Sequence, residues 1–566
     1  MLAELKWKTL QELVSGSTKE ELIWMNGYLA GLVAQSSASP VAETPVASAV
    51  KVNKITLTYG TETGNAKKLA TTFAGVAKKK GIQVKLAGLD QYRVNDLSKE
   101  EYFFSVVSTQ GDGEPPAAAI KFFDHLRSSD KTYQQLKYGI LALGDTSYPL
   151  FCQAGEEIDQ LFEKKGASRV LPIVKCDTDY EAEAAQWFEQ VLKTLEHGNG
   201  AAQPAPVPVR AKSGKKQYTG TIATNVDLND RGSSKETHHI EIVCDEEIVY
   251  QPGDAAGFVP HNKGEEVQAI LDITGCAGTE QVQFKNESWE LRALLTKKIS
   301  IIHLPERVVK KYAALAQQDI PETKIDLLNL LKIYPLADSV PVQQLVDILE
   351  PITPRLYSIA SSPNAHSGEL HLTVARNTYV VNDEIHYGFC STFLNGLAEN
   401  TEVEFYIHPN NHFRLPAPDK DVIMIGPGTG IAPFRSFLAE RDSTGATGRN
   451  WLFFGEQHFV SDFLYQTELQ DFFNTGVLTN IDLAFSRDQE AKIYVQHRMK
   501  EKAEELYAWL KNGASVYVCG AKEPMSVDVE RTLLEIIAEQ GNLTEEKAAQ
   551  YLEQLSNEGR YLKDVY

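Results

Sequence analysis

The stretch Lys54–Ala70, KITLTYGTETGNAKKLA, changes from a strand-like to a helix-like pattern across a short polar loop. Its first residues are largely apolar, as in a strand that is buried on both faces of a parallel sheet. The same order of strand, loop and helix follows at YFFSVVST (102–109), KYGILALG (137–144) and RVLPIVK (169–175). Residues 51–198 are therefore predicted to form a doubly wound, parallel α/β unit.

Three loops of this unit follow the carboxyl ends of predicted strands, where open α/β sheets bind ligands. The first, TETGN, places hydroxyls and backbone N–H groups at a helix N-terminus, which favours a phosphate; an ordinary capped helix is the alternative. It lacks the lysine that nucleotide hydrolysis requires. The second, STQGDGEPP (108–116), and the third, LGDTSYPLFC (143–152), add glycines and Tyr148 as a stacking face. Together the loops predict a site for a flat ring that carries a phosphate.

These loops resemble those of the flavodoxin family, and the resemblance covers about residues 51–198. It implies FMN as the cofactor of this unit. The FMN-binding residues expected from it are Thr61, Glu62, Thr63, Gly64, Asn65, Ala66, Ser108, Thr109, Gln110, Gly111, Leu143, Gly144, Asp145, Thr146, Ser147, Tyr148, Phe151 and Cys152.

Two segments rich in small residues and proline divide the rest of the chain. Residues 1–50 are predicted to be short amphipathic helices and a tether, and residues 199–216 a linker. From 217 to 418, half-buried strands predict an antiparallel β-barrel that a helical insertion interrupts at about 261–350. Strand and helix alternate again over 419–566. The predicted fold class is therefore multidomain α/β plus β-barrel.

Two motifs of the middle unit suit a dinucleotide. RLYSIASS (355–362) lies in a predicted barrel strand, and its Arg355 offers a forked donor to a pyrophosphate. GFCST (388–392) opens a helix with small residues and hydroxyls, a second pyrophosphate cradle. In this order they resemble the ferredoxin–NADP⁺ reductase family. The resemblance implies an FAD-binding barrel whose site contains Arg355, Leu356, Tyr357, Ser358, Thr373, Val374, Ala375, Tyr379, Gly388, Phe389, Cys390, Ser391 and Tyr566.

The last unit carries GPGTGIAPFR (426–435), a glycine-rich turn that lets a pyrophosphate approach a helix N-terminus. Further on, FSRDQEAKIYVQ (485–496) gathers arginine and lysine beside hydroxyls. This suits an extra phosphate dianion and favours NADP(H) over NAD(H); a solvated charged loop is the alternative. The expected NADP-binding residues are Gly428, Thr429, Arg435, Ser486, Arg487, Lys492, Ile493, Tyr494, Val495, Gln496 and Asp528.

The chain ends in RYLKDVY (560–566), which places an aromatic residue where chain ends usually fray. In the reductase family that the motifs resemble, the end of the chain returns to the flavin, which implies that Tyr566 stacks on it. Offset stacking contributes about 0.5–1.5 kcal/mol, little enough for NADPH to displace the ring. The resemblance also implies that Ser358, Cys519 and Asp564 surround the hydride path. A frayed tail and an inert core cysteine are the alternatives.

The net charge of −20 argues against nucleic acid or an anionic membrane as a partner. The six cysteines form no CxxC pair and the thirteen histidines show no ligand spacing, so no metal site is predicted. No apolar run approaches the roughly 20 residues that span a bilayer, and no signal peptide is visible. We therefore expect a cytoplasmic protein with free thiols.

The order of the three units resembles the diflavin reductase family over residues 51–566. The first helices, with KEELIWMNGYLAGL (19–32), further resemble the flavoprotein (alpha) component of bacterial sulfite reductase. This implies electron transfer from NADPH to FAD, to FMN and to a haemoprotein (beta) subunit with sirohaem and an iron–sulfur cluster. It also implies assembly and self-association through the N-terminal segment. The alternatives are a stand-alone cytosolic diflavin reductase and a non-catalytic flavin-binding scaffold.

Overall fold

The computed structural model describes residues 52–197 and 216–566, apart from ten single positions. These positions are Thr63, Asp112, Ser147, Pro149, Asp179, Glu322, Thr323, Asp338, Asn382 and Asp383. The predicted N-terminal helices, nearly all of the linker, and the predicted site residues Thr63 and Ser147 therefore lie outside the described residues. In the described part of the chain, no helix is long and apolar enough to cross a membrane.

The first unit is a parallel sheet with helices on both faces. Its elements are β1 (Lys54–Gly60), α1 (Asn65–Lys79), β2 (Gln83–Gly88), β3 (Tyr102–Ser108), α2 (Ile120–Ser128), β4 (Lys137–Leu143), α3 (Gln153–Lys164), β5 (Ser168–Arg169), β6 (Val174–Cys176) and α4 (Glu181–His197). The sheet order is β2-β1-β3-β4-β5, and β6 also pairs with β4. Strands β3 and β4 are almost wholly buried, because helices cover both faces of the sheet. The predicted α/β unit is confirmed.

The middle unit combines an antiparallel sheet with a helical part. Its elements are β7 (Gln217–Asp227), β8 (Thr237–Val243), β9 (Ala255–Phe258), α5 (Gly264–Thr274), β10 (Gln281–Phe284), β11 (Glu287–Glu290), α6 (Leu291–Lys297), α7 (Glu306–Ala316), α8 (Leu327–Ile333), α9 (Val342–Ile348), β12 (Arg355–Ser358), β13 (Leu370–Ala375), β14 (Thr378–Val381), β15 (Glu384–Tyr387), α10 (Phe389–Asn395) and β16 (Glu402–His408). Helices α5 to α9 and the hairpin β10–β11 share one apolar core, close to where the helical insertion was predicted.

The sheet of the middle unit has the order β12-β9-β16-β7-β8-β13. All of its pairings are antiparallel. The two edge strands of this sheet are β12 and β13. A single bridge connects them, from Ile359 directly after β12 to Leu372 in β13. The ladder is therefore not continuous, and the closed barrel predicted from the sequence is not confirmed.

The third unit is again a parallel sheet between helices. Its elements are β17 (Val422–Ile425), α11 (Ala432–Ser443), β18 (Asn450–Glu456), α12 (Phe459–Asp462), α13 (Gln466–Thr475), β19 (Asn480–Phe485), α14 (Val495–Glu501), α15 (Ala503–Lys511), β20 (Ser515–Gly520), α16 (Val527–Gly541), α17 (Glu545–Asn557) and β21 (Tyr561–Val565). The order is β19-β18-β17-β20-β21. The last strand of the chain is thus an edge strand, and the N–H of Tyr566 donates to Gly520 O at 3.1 Å.

The first unit packs against the other two through polar and aromatic contacts. Tyr180 Oη and His412 Nε2 lie 2.7 Å apart, and their rings stack with centroids 6.0 Å apart. On the adjacent side, Lys522 of the third unit donates to Glu62 of the first candidate loop. The ligand-binding edge predicted for the first sheet therefore faces the middle and third units.

Candidate functional site

The first candidate loop joins β1 to α1. Gly64 has a φ of 93°, a left-handed conformation that favours glycine, and its N–H donates to Thr61 Oγ1 at 2.9 Å. No side chain caps α1, so its first N–H groups point into a loop where Glu62 and Asn65 are half-buried. This geometry suits a phosphate. Ala66 is fully buried in the core, so its predicted FMN contact rests on its backbone.

The second and third loops lie beside the first because β3 and β4 follow β1 in the sheet. Thr109 Oγ1 accepts from the N–H of Ala154 at 3.2 Å. A Cβ on Gly144 would lie 2.8 Å from the N atom of Cys152, so the two ends of the third loop lie close together. The other predicted residues here remain partly or fully exposed at this edge: Ser108, Gln110, Gly111, Asp145, Thr146, Tyr148 and Phe151.

Two predicted residues of these loops belong to the core instead. The Cys152 side chain is fully buried, its thiol donates to Ala142 O at 3.4 Å, and burial raises its pKa to about 12. Leu143 is 4% exposed and packs among the core side chains of the first unit. With both side chains in the core, the predicted FMN contacts of Leu143 and Cys152 rest on their backbone atoms.

A cleft of about 1500 Å³ lies where the middle unit meets the third. Its wall brings together most residues expected to bind FAD, although they come from four separate stretches of the chain. The expected residues that line it are Arg355, Leu356, Tyr357, Ser358, Thr373, Ala375, Gly388, Phe389, Cys390, Ser391 and Tyr566.

The chemistry of this cleft fits a flavin dinucleotide. Leu356 is 36% exposed and Tyr566 is 64% exposed, so apolar surface is available for a flat ring. The Arg355 guanidinium is exposed, and the described residues place no carboxylate within ion-pair distance of it. A Cβ on Gly388 would lie 2.7 Å from Ser391 Oγ. Glycine therefore leaves the backbone at the start of α10 open to a pyrophosphate that a side chain would block.

One residue expected in the FAD site, Val374, has its side chain away from the cleft wall. Val374 is fully buried in the core of the middle unit, because side chains alternate along β13 and its neighbours Thr373 and Ala375 face the cleft. With this side chain in the core, the predicted FAD contact of Val374 rests on its backbone. Tyr379 begins the hairpin of β14 and β15, and its side chain lies outside the described residues.

The three residues expected around the hydride path, together with Tyr566, lie at one end of the cleft. Ser358 Oγ donates to Asp564 Oδ2 at 3.0 Å, and the Cys519 thiol lies 4.0 Å from the same oxygen. Tyr566 Oη and Thr429 Oγ1 are 2.7 Å apart. The β20–β21 pairing sets Cys519 directly beside Asp564. The structure thus joins β12, β20 and β21 at this point.

Burial governs the protonation of this cluster. It raises the pKa of Asp564 above its usual range, and the hydrogen bond from Ser358 offsets part of that rise. Burial also raises the pKa of the Cys519 thiol well above its ordinary value, since the side chain is fully buried. Cys519 is therefore a neutral thiol, while Asp564 is the group able to exchange a proton.

The glycine-rich turn GPGTGI lies at the carboxyl end of β17. A Cβ on Gly430 would lie 2.2 Å from Cys519 O, and a Cβ on Gly426 would lie 2.5 Å from Gly430 O. Gly428 has a φ of 59°. Glycine is therefore required where the turn crosses β20, and Gly428 and Thr429 stand at the mouth of the cleft.

An exposed cationic surface lies at the end of β19. Arg487 and Lys492 are exposed, and no carboxylate among the described residues pairs with either. Ser486 is anchored by its N–H, which donates to Glu456 O at 2.9 Å, and Tyr494 is 43% exposed. Two cations beside a hydroxyl and an exposed ring suit a phosphate dianion on a nucleotide.

Other residues expected here have different surroundings. Val495 is 2% exposed and Ile493 packs against the same core, so their predicted nucleotide contacts rest on the backbone. Gln496 Nε2 donates to Asp528 Oδ2 at 3.4 Å. Asp528 also forms an ion pair with Arg531, whose Nη2 lies 2.7 Å from Asp528 Oδ1.

Arg435 does not face a nucleotide, contrary to the expectation from the sequence. Its side chain is 7% exposed, and Nε and Nη2 donate to both carboxylate oxygens of Glu468 at 2.7 and 2.9 Å. Its Nη1 donates to Ala360 O and to His371 Nδ1 in the middle unit. The prediction is corrected because these acceptors occupy the guanidinium.

Several residues of the cleft escaped the sequence analysis. Arg376 and Asn377 line it directly after β13, and the Arg376 guanidinium lies 4.0 Å from the centre of the Tyr387 ring. Their position next to the motif residues was a usable signal. Asn410 donates to Asp564 Oδ1 at 3.4 Å, and nothing in its local sequence indicates this contact.

Comparison with known proteins agrees with this geometry. Family models match the flavodoxins over residues 57–188, the FAD binding domain over 306–393 and the oxidoreductase NAD-binding domain over 424–531. They confirm the prediction of an oxidoreductase with FMN, FAD and NADPH as cofactors.

Full-length relatives share one name, sulfite reductase (NADPH) flavoprotein alpha-component. The relative from Bacillus subtilis (strain 168) is 41% identical over 98% of this chain and 97% of its own length. Relatives from Shewanella sp. (strain ANA-3) and Vibrio cholerae serotype O1 (strain ATCC 39315 / El Tor Inaba N16961) are 40% and 39% identical over 100% of this chain, covering 98% and 96% of theirs. The chain therefore belongs to the family of sulfite reductase flavoprotein alpha-components.

Proposed function

We propose that this protein is the flavoprotein component of an NADPH-dependent sulfite reductase. The observation that carries the proposal is the meeting of Tyr566, Ser358 and Asp564 where the cleft joins the glycine-rich turn. When bound, NADPH supplies a hydride, FAD divides the electron pair and FMN delivers single electrons to the acceptor. The residues of the chain bind, orient and shield these groups.

Tyr566 acts as a displaceable cover over the flavin. Its hydroxyl is held by Thr429 and its N–H donates to Gly520 O, while its side chain remains 64% exposed. Stacking worth about 0.5–1.5 kcal/mol is weak enough for a nicotinamide to replace it. The ring therefore excludes water until a nucleotide arrives.

Asp564 and Ser358 hold a proton beside the reacting atoms. The ionised Asp564 accepts from Ser358, which fixes the direction of that hydroxyl. Burial brings the pKa of Asp564 upward, closer to the pH at which the protein works. Cys519, fully buried beside them, fills the site and keeps water out.

The remaining candidate residues bind the three cofactors. We assign the FMN phosphate to the N-terminus of α1 with Thr61 and Gly64, and the FAD pyrophosphate to Arg355 and the start of α10. We assign the extra phosphate of NADPH to the surface of Ser486, Arg487, Lys492 and Tyr494. The unpaired cations and uncapped helix described above support these assignments.

The proposal extends to domain boundaries, partner and location. We infer domains at 51–198, 217–418 and 419–566, and a barrel-like closure of the middle sheet supported by the bridge between Ile359 and Leu372. We propose a haemoprotein (beta) subunit with sirohaem and an iron–sulfur cluster as the acceptor, and self-association through residues 1–50. The name of the relatives, a flavoprotein alpha-component of sulfite reductase, supports a second component. Six free thiols are in keeping with the cytoplasm.

Reconstitution tests this function. The chain, supplied with FMN and FAD, should bind both, bleach when NADPH is added, and reduce a sirohaem partner. Deletion of residues 1–50 should abolish assembly with that partner while dye reduction by NADPH continues. If the chain is reduced by NADPH but neither binds nor reduces a sirohaem partner, it is a stand-alone diflavin reductase; if assembly survives the deletion, the assembly role of residues 1–50 is wrong. If flavins bind but NADPH is not oxidised, it is a non-catalytic scaffold.

A further inference from the structure

Helix α11 begins directly after the glycine-rich turn and lies across the chain segment that leaves β12. Three of its side chains contact three successive residues of that segment. The contacts are Arg435 Nη1 to Ala360 O at 2.9 Å, Ser436 Oγ to Ser361 O at 2.6 Å, and Ser362 Oγ to Glu440 Oε2 at 2.5 Å. These six residues are termed the α11 clamp.

The α11 clamp links the two halves of the proposed hydride site. Ser358 lies two residues before Ala360, the first residue that α11 contacts. Thr429 lies six residues before Arg435 in the sequence. Both residues line the cleft together with Tyr566. A shift of α11 against β12 would therefore move the nucleotide side of the cleft relative to its flavin side.

Arg435 is the central member of the clamp. Its guanidinium is buried, with the forked pair to Glu468 on one side and the middle unit on the other. The Tyr465 ring lies 5.0 Å from it, and the Tyr465 hydroxyl reaches Thr373 Oγ1 on the cleft wall at 2.7 Å. A planar, forked donor can satisfy all these partners at once, whereas a lysine cannot.

The charge of Arg435 fixes the state of the imidazoles around it. Burial, and then the Arg435 charge, lower the pKa of His371 to about 2, so this ring is neutral. Because Arg435 donates to Nδ1, the His371 proton is on Nε2, which donates to Glu369 Oε2 at 3.1 Å. The same two causes, in the same order, lower the pKa of His239 and of His366.

This arrangement also explains a cluster with metal-like spacing. Ligand atoms of His239, Glu241 and His371 lie within 4.8 Å of one another, the one such group in the described part of the chain. A histidine that binds a metal through Nε2 usually donates its other N–H outward. His371 instead accepts at Nδ1 from Arg435, so the cluster is a hydrogen-bond network and not a metal centre.

We propose that Arg435 is a positioning residue for hydride transfer, which acts by holding the glycine-rich turn and the flavin cleft in register through the α11 clamp. The inference rests on the proposed function, since it concerns the same site. It assigns Arg435 no contact with NADPH. The test must therefore separate the rate of hydride transfer from the binding of nucleotide.

Arg441 offers a matched control on the same helix. It is also buried, but its Nη2 donates to Lys420 O at 2.9 Å and Gly448 O at 2.7 Å, both within the third unit. Arg435→Met and Arg441→Met thus each remove a buried guanidinium, and only the first breaks a contact between units. Both variants are made in the full chain loaded with FMN and FAD.

Three quantities are compared: FAD content, the dissociation constant of 2′,5′-ADP, and the rate of FAD reduction by NADPH. Arg435→Met should keep FAD content and 2′,5′-ADP affinity, while the rate falls about 10- to 100-fold, as for a misplacement of roughly 1 Å. Arg441→Met should stay within about twofold of the parent rate. Equal rates in the two variants would overturn the inference, as would a parallel loss of 2′,5′-ADP affinity in Arg435→Met.

Ser436→Ala is a smaller change in the α11 clamp, which separates a loss of positioning from a failure of the variant to fold. It removes one hydrogen bond of the α11 clamp and should lower the rate about two- to threefold with FAD content unchanged; an unchanged rate contradicts the clamp. If the parent chain itself is not reduced by NADPH, the proposed function fails and this inference falls with it. If the parent is reduced and both clamp variants match it, only this inference fails.

The pH profile of thermal unfolding gives a readout independent of activity. Below pH about 6.5 the unfolded chain takes up protons at His239, His366 and His371 that the folded chain does not. The free energy of unfolding therefore decreases as the pH decreases. Arg435→Met removes the second-largest cause of that difference, so its decline should be shallower than that of Arg441→Met. Equal slopes would contradict the clamp electrostatics. The other charged groups that face these rings are Glu241, Glu369 and Glu468.

Discussion

The first and third units share a parallel α/β architecture but complete their candidate sites in different ways. In the first, the three loops all come from one sheet and lie on one edge of it. In the third, the glycine-rich turn faces Ser358 of the middle unit and Tyr566 of its own edge strand. One architecture thus forms either a self-contained cofactor site or half of a composite active site.

The two units also differ in how they are attached. The first meets its neighbours partly through exposed pairs such as Lys67 and Glu553, whose side chains are 50% and 57% exposed. The third is joined to the middle unit by buried bonds, among them Ser436 Oγ to Ser361 O at 2.6 Å. We therefore expect the first unit to undock readily, while the middle and third units move as one.

The largest expected effect comes from blocking the composite site at its narrowest point. A Cβ at Gly430 would meet Cys519 O at 2.2 Å, a backbone contact that no rotamer relieves. Gly430→Val should lower FAD reduction by NADPH about 100-fold or more while FMN content stays unchanged. The control is Gly75→Ala in α1, where a Cβ meets nothing within 4 Å and stability should rise by about 0.5–1 kcal/mol. Undiminished reduction in Gly430→Val would show that the sites are not composite.

The next effect concerns the acid–base pair of the composite site. Asp564→Asn should slow FAD reduction at least about tenfold. Because protonation of Asp564 removes the acceptor of Ser358, the parent rate should fall as pH drops through the raised pKa. The variant should show no such fall. Stopped-flow rates across pH test this, with the exposed Asp419→Asn as control; a retained acid limb in Asp564→Asn refutes the assignment.

Removal of the terminal ring should have a smaller effect, in the opposite direction. Tyr566→Ala abolishes the stacking that a nicotinamide must displace, so affinity for NADP⁺ should rise about 2- to 10-fold. Tyr566→Phe keeps the ring but loses the bond to Thr429, and should stay near the parent value. Calorimetric titration of the FAD-loaded chain measures both. Equal affinities in Ala and Phe variants would mean that the ring does not cover the site.

The smallest effect belongs to the exposed contact of the first unit. Lys67→Ala removes a pair that is worth about 0.2–1 kcal/mol at most. Electron transfer from FAD to FMN should therefore change less than about fivefold, and added salt should reduce even that difference. A large, salt-independent loss would mean that the first unit is rigidly fixed, and would remove the contrast in attachment.

The sequence predicted the strand ends and glycine-rich turns of the site because these depend on local patterns. It did not predict where single side chains point. Alternation along β13 could have indicated that the Val374 side chain faces the core, since Thr373 and Ala375 flank it and line the cleft. Arg435 carried no such signal, because its carboxylate partner Glu468 is 33 residues away and its other acceptors belong to another unit. Closure of the middle sheet likewise depends on pairing between distant strands.

The most direct test of the account is selective removal of FMN from the holoprotein. The account predicts that NADPH still bleaches the FAD of the stripped chain, while electron delivery to a haemoprotein acceptor stops until FMN is restored. Undiminished delivery without FMN would contradict the separation of the two flavin sites on which the account depends.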